Sequence, residues 1–427
     1  APPESPAGPI DDPMLAPPPS APRTLASWEE AIALVRAHSP DYRRSYDNVR
    51  RAEAMSRVAL AGLLPTVKAD GSFTHQFITT QESLGEGRIT IPPQDVFAAM
   101  GTATWSFGSP RAWYALGTSK RAIDVAKLDL ASTRRTIAES LVSLLIATSA
   151  AARTADLNRS SLRAALERVA LAEARVRAQH GTELDLGRAR EDAEAARQLV
   201  VTTDEALRRS REALGVAFGS SVAMSAPNDQ NLVAFEKAVA TTCRLTPDIE
   251  QRPDVAAARA RVTLAERTIG DVHRSYLPSA SLQSQLAWGS QVLFGPVTQW
   301  NVQAVVSVPI WDGGARYGQA NDARAAVDQA EAALTAARVQ ALVNVTQAER
   351  AVSVTATSRD VARRRRELAA QVDERTRAAY ATGVVTSLEL VTSGQALRTA
   401  EVNLAVAEFE HAKARVLAFL SKADCSF

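Results

Sequence analysis

Five histidines and two cysteines are the first residues to test for chemistry, and their spacing excludes most of it. His38, His75, His180, His273 and His411 are scattered. No HxxxH or HExxH pattern sets two imidazoles on one helix face, as a zinc site requires. Cys243 and Cys425 form no CxxC or Cys/His spacing. In a reducing compartment they are free thiols; in an exported protein they can pair. Serines and aspartates are plentiful, but there is no nucleophile elbow. The sequence therefore points away from an enzyme and calls for no metal and no cofactor. Two carboxylates remain, Asp185 and Glu389, at matching points of two helix–turn–helix junctions, 178–188 and 380–392. Acids in the first turn of a helix are favoured by its dipole, so helix capping is one role open to both.

The elements that hold these junctions are long helices. The 427 residues are 46% apolar but only 5% aromatic, a bias toward helices packed through small side chains. The pattern is helical from about 112 to 179 and from about 315 to 382. At 1.5 Å per residue each helix runs roughly 100 Å, so each must pack lengthwise. Shorter helices follow at 183–218 and 387–420. In them Leu186, Ala189, Ala193, Ala196, Val200, Leu207 and Leu214, then Leu390, Ser393, Leu397, Ala400, Leu404, His411 and Ala418, keep one 3-4 spacing in register. That is a coiled-coil seam of mostly small residues.

Strands enter at fixed points of an internal repeat. Residues 25–64 and 233–277 share one plan, two helices ending in Leu64-Pro65 and Leu277-Pro278. An alternating stretch follows each. Val67, Ala69, Phe73 and Phe77 oppose Lys68, Asp70, Ser72 and Thr74, and Ala280, Leu282, Leu286 and Trp288 oppose Ser281, Gln283 and Gln285. Loops at about 81–96 and 289–298 lead to return strands at about 100–107 and 300–311. Trp300, Val302, Ala304 and Val306 share the apolar face of the last one. The division is thus a Pro-rich extended tail at 1–24, which forms no ladders, a first repeat at 25–220 with its hairpin at 66–108, and a second at 221–427 with its hairpin at 279–311.

Four amphipathic strands cannot close a barrel, for which about eight is the minimum. Copies of the chain must share one, with polar faces to a lumen and apolar faces to lipid. Trp105, Trp288 and Trp300 suit an aromatic girdle. The expected class is an α+β membrane protein. The opening APPESPAG reads as the start of a mature chain, and the apolar run 141–152 is too short to span a membrane. Interleaved charges and a net charge of +2 leave no basic face for nucleic acid. The Arg363–Arg366 run is expected to be a solvated surface. The alternative is a non-conducting periplasmic coiled-coil structural protein.

The segments LPTVKADGSF, RPDVAAARARVTLAER, LPSASLQSQL, VPIWDGGAR and YATGVVTSLELV together resemble the TolC-like family of outer-membrane efflux channels. The resemblance covers nearly all of the chain from Leu25 onward. It implies a homotrimer with a shared twelve-stranded barrel in outer-membrane lipid and a periplasmic tunnel of coiled helices. It implies a passive exit duct of a tripartite efflux or type I secretion system, fed by an inner-membrane transporter through a periplasmic adaptor (membrane fusion) protein. By motif, Glu389 takes the place of an acid at the periplasmic constriction, Asp185 is its first-repeat match, and Tyr380 matches the gate's tyrosine. A second acidic position of the family is Thr392 here, and a basic partner is Val385, so any closing network must differ. The tips Gly181-Thr182 and Gly383-Val384-Val385 would dock the adaptor, with glycine allowing the tight turn. Both cysteines would lie in an equatorial belt of an oxidising periplasm, where a Cys243–Cys425 disulfide is expected. Many members carry a lipid on an N-terminal cysteine; none stands near Ala1.

Overall fold

A computed structural model describes residues 11–84, 87–226, 232–246, 248–291 and 295–427. In chain order the strands and helices are β1 (Arg23–Thr24), α1 (Trp28–His38), α2 (Pro40–Ala61), β2 (Thr66–His75), β3 (Thr80–Leu84), β4 (Gly87–Ile91), β5 (Asp95–Gly108), α3 (Pro110–Arg177), α4 (Glu183–Ala217), β6 (Met224–Ser225), α5 (Leu232–Thr242), β7 (Cys243–Leu245), α6 (Pro253–Arg274), β8 (Ser279–Gln291), β9 (Gly295–Ser307), α7 (Ala315–Ala381), α8 (Ser387–Leu420) and β10 (Ala423–Cys425). α2, α3 and α6 each begin on a proline, whose fixed φ and missing N–H suit the first helical position. α3 contains a stretch apolar enough to cross a membrane by length and composition. Its Leu141, Val142, Leu145 and Ile146 are instead buried among neighbouring side chains.

Two compact units result, and neither coincides with a sequence repeat. One gathers residues 47–128 and 256–336; the other gathers 1–46, 129–255 and 337–427. Each draws on both repeats because the long helices α3 and α7 run on from one to the other.

The first unit holds a four-stranded antiparallel sheet in the order β2-β5-β8-β9. Its register keeps the alternation intact across the four strands except at one shift between β5 and β8. Val67, Ala69 and Phe73 pair with Ala103, Gly101 and Phe97. Gly101 and Trp105 pair with Leu286 and Leu282. Those two meet Trp300 and Ala304. The other face carries Lys68 with Thr102, Thr102 with Gln285, and Gln283 with Gln303, whose side-chain amides bond at 2.9 Å. A slip of one residue would exchange the two faces, so side-chain chemistry fixes the register. β5 and β8 shift register between Trp105 and Gly108, where a Cβ on Gly108 would stand 2.7 Å from that of Ala280. β2 and β9 are edges.

The strands depart from the sequence expectation in three places. The expected loop at 81–96 contains a hairpin of its own, β3 with β4, and β5 starts at Asp95. The loop at 289–298 is shorter, because β8 reaches Gln291 and β9 begins at Gly295. β9 stops at Ser307, and Val308, Ile310 and Trp311 continue outside the ladder as exposed side chains. Pro309 has no N–H to donate, which ends pairing while the apolar run continues.

In the second unit the described part of the Pro-rich segment, residues 11–24, lies against the helices and ends in a short ladder. Asp12 accepts from Arg197 Nη2 at 2.8 Å, and this bond, against some burial, holds its carboxyl below the ordinary range. Leu15 packs on the Leu162, Ala165, Ala193, Ala196 and Val200 cluster of α3 and α4. Arg211 Nη1 donates to the Pro19 carbonyl, and β1 pairs in parallel with β6. A Pro-rich strand loses little entropy on docking, and its carbonyls remain free to accept. Elsewhere in this unit Cys243 and Cys425 stand opposite one another in the β7–β10 pair and are joined as a disulfide. The Phe427 ring stacks on Tyr42 beside them.

Candidate functional site

The two helix–turn–helix tips lie in the second unit and are built from the same backbone parts. α7 ends in a Schellman motif: Val384 N donates to Ala379 O and Gly383 N to Tyr380 O, with Gly383 at φ +78°. α3 ends likewise, with His180 N bonding Arg175 O and Gln179 N bonding Val176 O. The left-handed residue there is Gln179, at φ +61°, not Gly181. Gly181 serves a different need: a Cβ on it would lie 3.0 Å from that of Arg175. A side chain in the left-handed region costs about 1 kcal/mol. Gln179→Gly is therefore expected to stabilise the first tip by about that amount. Slower amide exchange at residues 176–182 would show it; unchanged exchange would count against the strain.

Each following helix opens with a capping box. Thr182 Oγ1 accepts from Asp185 N, and Asp185 Oδ2 accepts in return from Thr182 N and Oγ1 at 3.3 and 2.8 Å. Thr386 and Glu389 repeat this, with Glu389 Oε2 2.7 Å from Thr386 N. Both acids are thus caps. They differ beyond that. Asp185 is half-buried and also accepts from Ser387 Oγ of the other hairpin. That bond first, then those from Thr182, hold its carboxyl below the ordinary range against some burial. Glu389 is exposed. Thr392 is exposed too, and its hydroxyl donates to the carbonyls of Leu388 and Glu389, so it is spent on its own helix. Tyr380 is buried, with the Arg175 guanidinium 4.1 Å from its ring centre and Arg175 Nη2 donating to its carbonyl at 3.1 Å. At the turns Thr182, Gly383 and Val384 are exposed; Gly181 and Val385 are half-buried.

Two turns of helix from the tip lies a cluster that the sequence reading missed. Asp192 of α4 is fully buried. It accepts from Arg168 of α3 at 2.6 Å, from Arg398 of α8, and from Gln395 Nε2 at 3.1 Å. Burial alone would raise Asp192, but the bonds from Arg398 and Arg168 hold it below the ordinary range. Gly394 leaves room, since a Cβ there would stand 3.3 Å from Arg168 Nη1. Asp373 of α7, also buried, accepts from Ser393 Oγ at 3.1 Å and from Arg377 at 2.7 Å. All four helices of the two hairpins thus meet through buried charge. The available signal was Asp192 itself, a carboxylate three residues past Ala189 on the edge of the apolar seam.

Among the described residues no group of three or more His, Cys, Asp or Glu side chains is arranged to hold a metal ion.

Known proteins share this architecture. The family model described as "Outer membrane efflux protein" matches residues 31–220 and 248–416. A curated relative from Burkholderia cepacia, the fusaric acid resistance protein FusA, is 24% identical over 315 residues, which are 71% of this chain and 58% of that protein. Among solved structures, CusC superposes with a TM-score of 0.78 at 17% identity, covering 97% of this chain and 98% of the other. The Campylobacter jejuni CmeC outer membrane channel gives 0.76 at 16% identity, covering 93% and 86%. At such identities the likeness speaks for the fold.

Proposed function

Because the chain belongs to the outer membrane efflux protein family, we propose that it is the exit duct of a tripartite efflux or type I secretion system in the bacterial outer membrane. In this reading it conducts solutes passively and carries out no catalysis. One observation supports this above the rest: a four-stranded sheet with one apolar face, one polar face and two unpaired edges. In lipid those edges must be closed, and three copies supply twelve strands. The polar face then lines the pore. Protein extracted in detergent is expected to conduct ions in planar bilayers as a trimer; a trimer that inserts without conducting overturns the reading.

The tips take the roles of gate and dock. Glu389, exposed and capping its own helix, sets a carboxylate ring at the constriction, with Asp185 and Tyr380 joining one hairpin to the other. Thr392 adds no charge to that ring. The exposed turns around Gly181, Thr182, Gly383, Val384 and Val385 meet a periplasmic adaptor, which links the duct to an inner-membrane transporter. The name of the Burkholderia cepacia relative makes export of fusaric acid the first cargo to assay.

A further inference from the structure

The junction where strands give way to helices carries arginines that the duct reading leaves without a task. They lie in the unit that holds the sheet, around the start of α3, the end of α6 and the start of α7. Arg267 and Arg274 both stand against the ring of Tyr114, at 4.3 and 3.6 Å from its centre. Gly270 admits that ring, since a Cβ there would come within 2.6 Å of it. Arg316 lies 4.4 Å from the ring centre of Tyr276 and is oriented by Asp312 at 2.6 Å. Arg111 is exposed nearby and, with Arg267 and Arg274, bears electrostatically on Asp271. Four arginines thus face two carboxylates, and burial pushes Asp271 up, toward its neutral form.

Two donors in this cluster, Arg267 Nε and Arg316 Nη1, are buried without a protein partner; Asp271 Oδ1 is a buried acceptor in the same condition. Those atoms are closed to the outside, but Arg267, Arg274 and Arg316 are only half-buried, so the rest of each guanidinium is open to an acceptor from elsewhere. A guanidinium held flat on an aromatic ring keeps its charge and presents its edge as a fork for phosphate oxygens.

The surroundings say where that acceptor comes from. Trp113 is 59% exposed, Ile310 91%, Trp311 82% and Tyr317 69%. So much bare aromatic and aliphatic surface, beside arginines and just beyond the last strand residues, marks a membrane–water boundary. We propose that this collar of Arg111, Arg267, Arg274 and Arg316 binds the phosphate of an anionic phospholipid headgroup in the leaflet on the helical side of the barrel. The proposal rests on the duct reading for the presence of a membrane at this level.

The full-length trimer is placed in nanodiscs of phosphatidylethanolamine with or without phosphatidylglycerol, re-extracted, and its bound lipid counted by native mass spectrometry. Phosphatidylglycerol is expected to be enriched over its share of the disc. R111Q/R316Q is expected to cut that enrichment by about fivefold for each arginine, while R111K/R316K, which keeps the charge, retains most of it. No enrichment with the wild-type chain, or full enrichment with R111Q/R316Q, overturns the proposal. Release of the lipid by excess inorganic phosphate would assign the collar to a soluble anion and overturn it as well. Should the glutamine variant fail to fold, the wild-type comparison still decides. Bilayer conductance is recorded alongside: a conducting trimer without enrichment sinks the collar alone, and a silent one sinks the duct.

Discussion

Arg252→Ala is expected to cost about 3–5 kcal/mol of stability. Arg252 is 1% exposed, the largest side chain so completely buried among the described residues. Its guanidinium takes Asp254 on both oxygens, at 2.8 and 2.9 Å, and donates to the carbonyls of Ala341 at 3.3 Å and Ser421 at 3.1 Å. One side chain therefore ties together the start of α6, the middle of α7 and the end of α8. Truncation leaves the half-buried Asp254 with Arg135 as its remaining cation, at 3.4 Å, and takes a side-chain donor from the Ser421 carbonyl. Lysine cannot span the fork, so Arg252→Lys should recover little. Thermal melting of the detergent-solubilised protein reads the loss; an alanine variant that melts with the wild type would mean the node is dispensable. The pH dependence follows from Asp254. Burial raises its carboxyl, but the bonds from Arg252 and the charge of Arg135 outweigh this, and it lies below its ordinary 3.8. A depressed carboxylate adds stability that is fully present above the ordinary value and disappears as pH falls through the folded one. Wild-type melting should thus be insensitive to this group near neutrality and fall in acid below about pH 4, and Arg252→Ala should flatten that fall.

The second large effect is expected at Asp192. Asp192→Ala leaves Arg168 and Arg398 facing one another without a counterion, a loss of about 3–5 kcal/mol. Burial already pushes Arg168 below its ordinary value, with Asp192 the neighbour opposing that. Removal of the carboxylate takes away the compensation. The damage should be local, because Asp192 joins the hairpins rather than the units. At about 1.4 kcal/mol per tenfold, amide protection around residues 390–400 should drop by at least two orders of magnitude. If those amides exchange as in the wild type, the cluster is not what holds α4 to α8. Asp192→Asn should fall between, since an amide oxygen can still accept from one guanidinium.

The faces of the sheet were legible because a strand's side chains alternate and only one register keeps every apolar residue together. Val67, Phe73, Leu282, Leu286 and Trp300 identify that face from their spacing alone. The end of β9 was not legible in the same way. Val308 and Ile310 continue the alternation past Ser307, because hydrophobicity reports the surrounding medium while Pro309 decides the hydrogen bonds. β3 and β4 escaped notice as two five-residue strands: β3 is mostly polar, and Ile89 and Ile91 of β4 are too short an alternation to mark a hairpin. At the tips, the acids Asp185 and Glu389 and their capping role followed from local sequence. Gln179 did not, since a neighbouring glycine drew attention to Gly181. The partners of Asp192 lie 24 and 206 residues away, at Arg168 and Arg398, and no local pattern announces pairs that only folding brings together. The docked Pro-rich segment escaped for the same reason: Asp12 finds Arg197 across 185 residues.

The Cys243–Cys425 bond closes on itself a stretch separated by 182 residues, which contains β8, β9, α7 and α8. Residues 243–425, most of the second repeat, are therefore a covalent ring, with the first repeat attached to it as an open arm. A single break at the exposed Gly383 turn, or anywhere else between the two cysteines, turns the ring into a line but releases nothing. The same break at Thr182, in the first repeat, divides the molecule in two. Two hairpins that share one backbone design thus differ in what a protease can do to them.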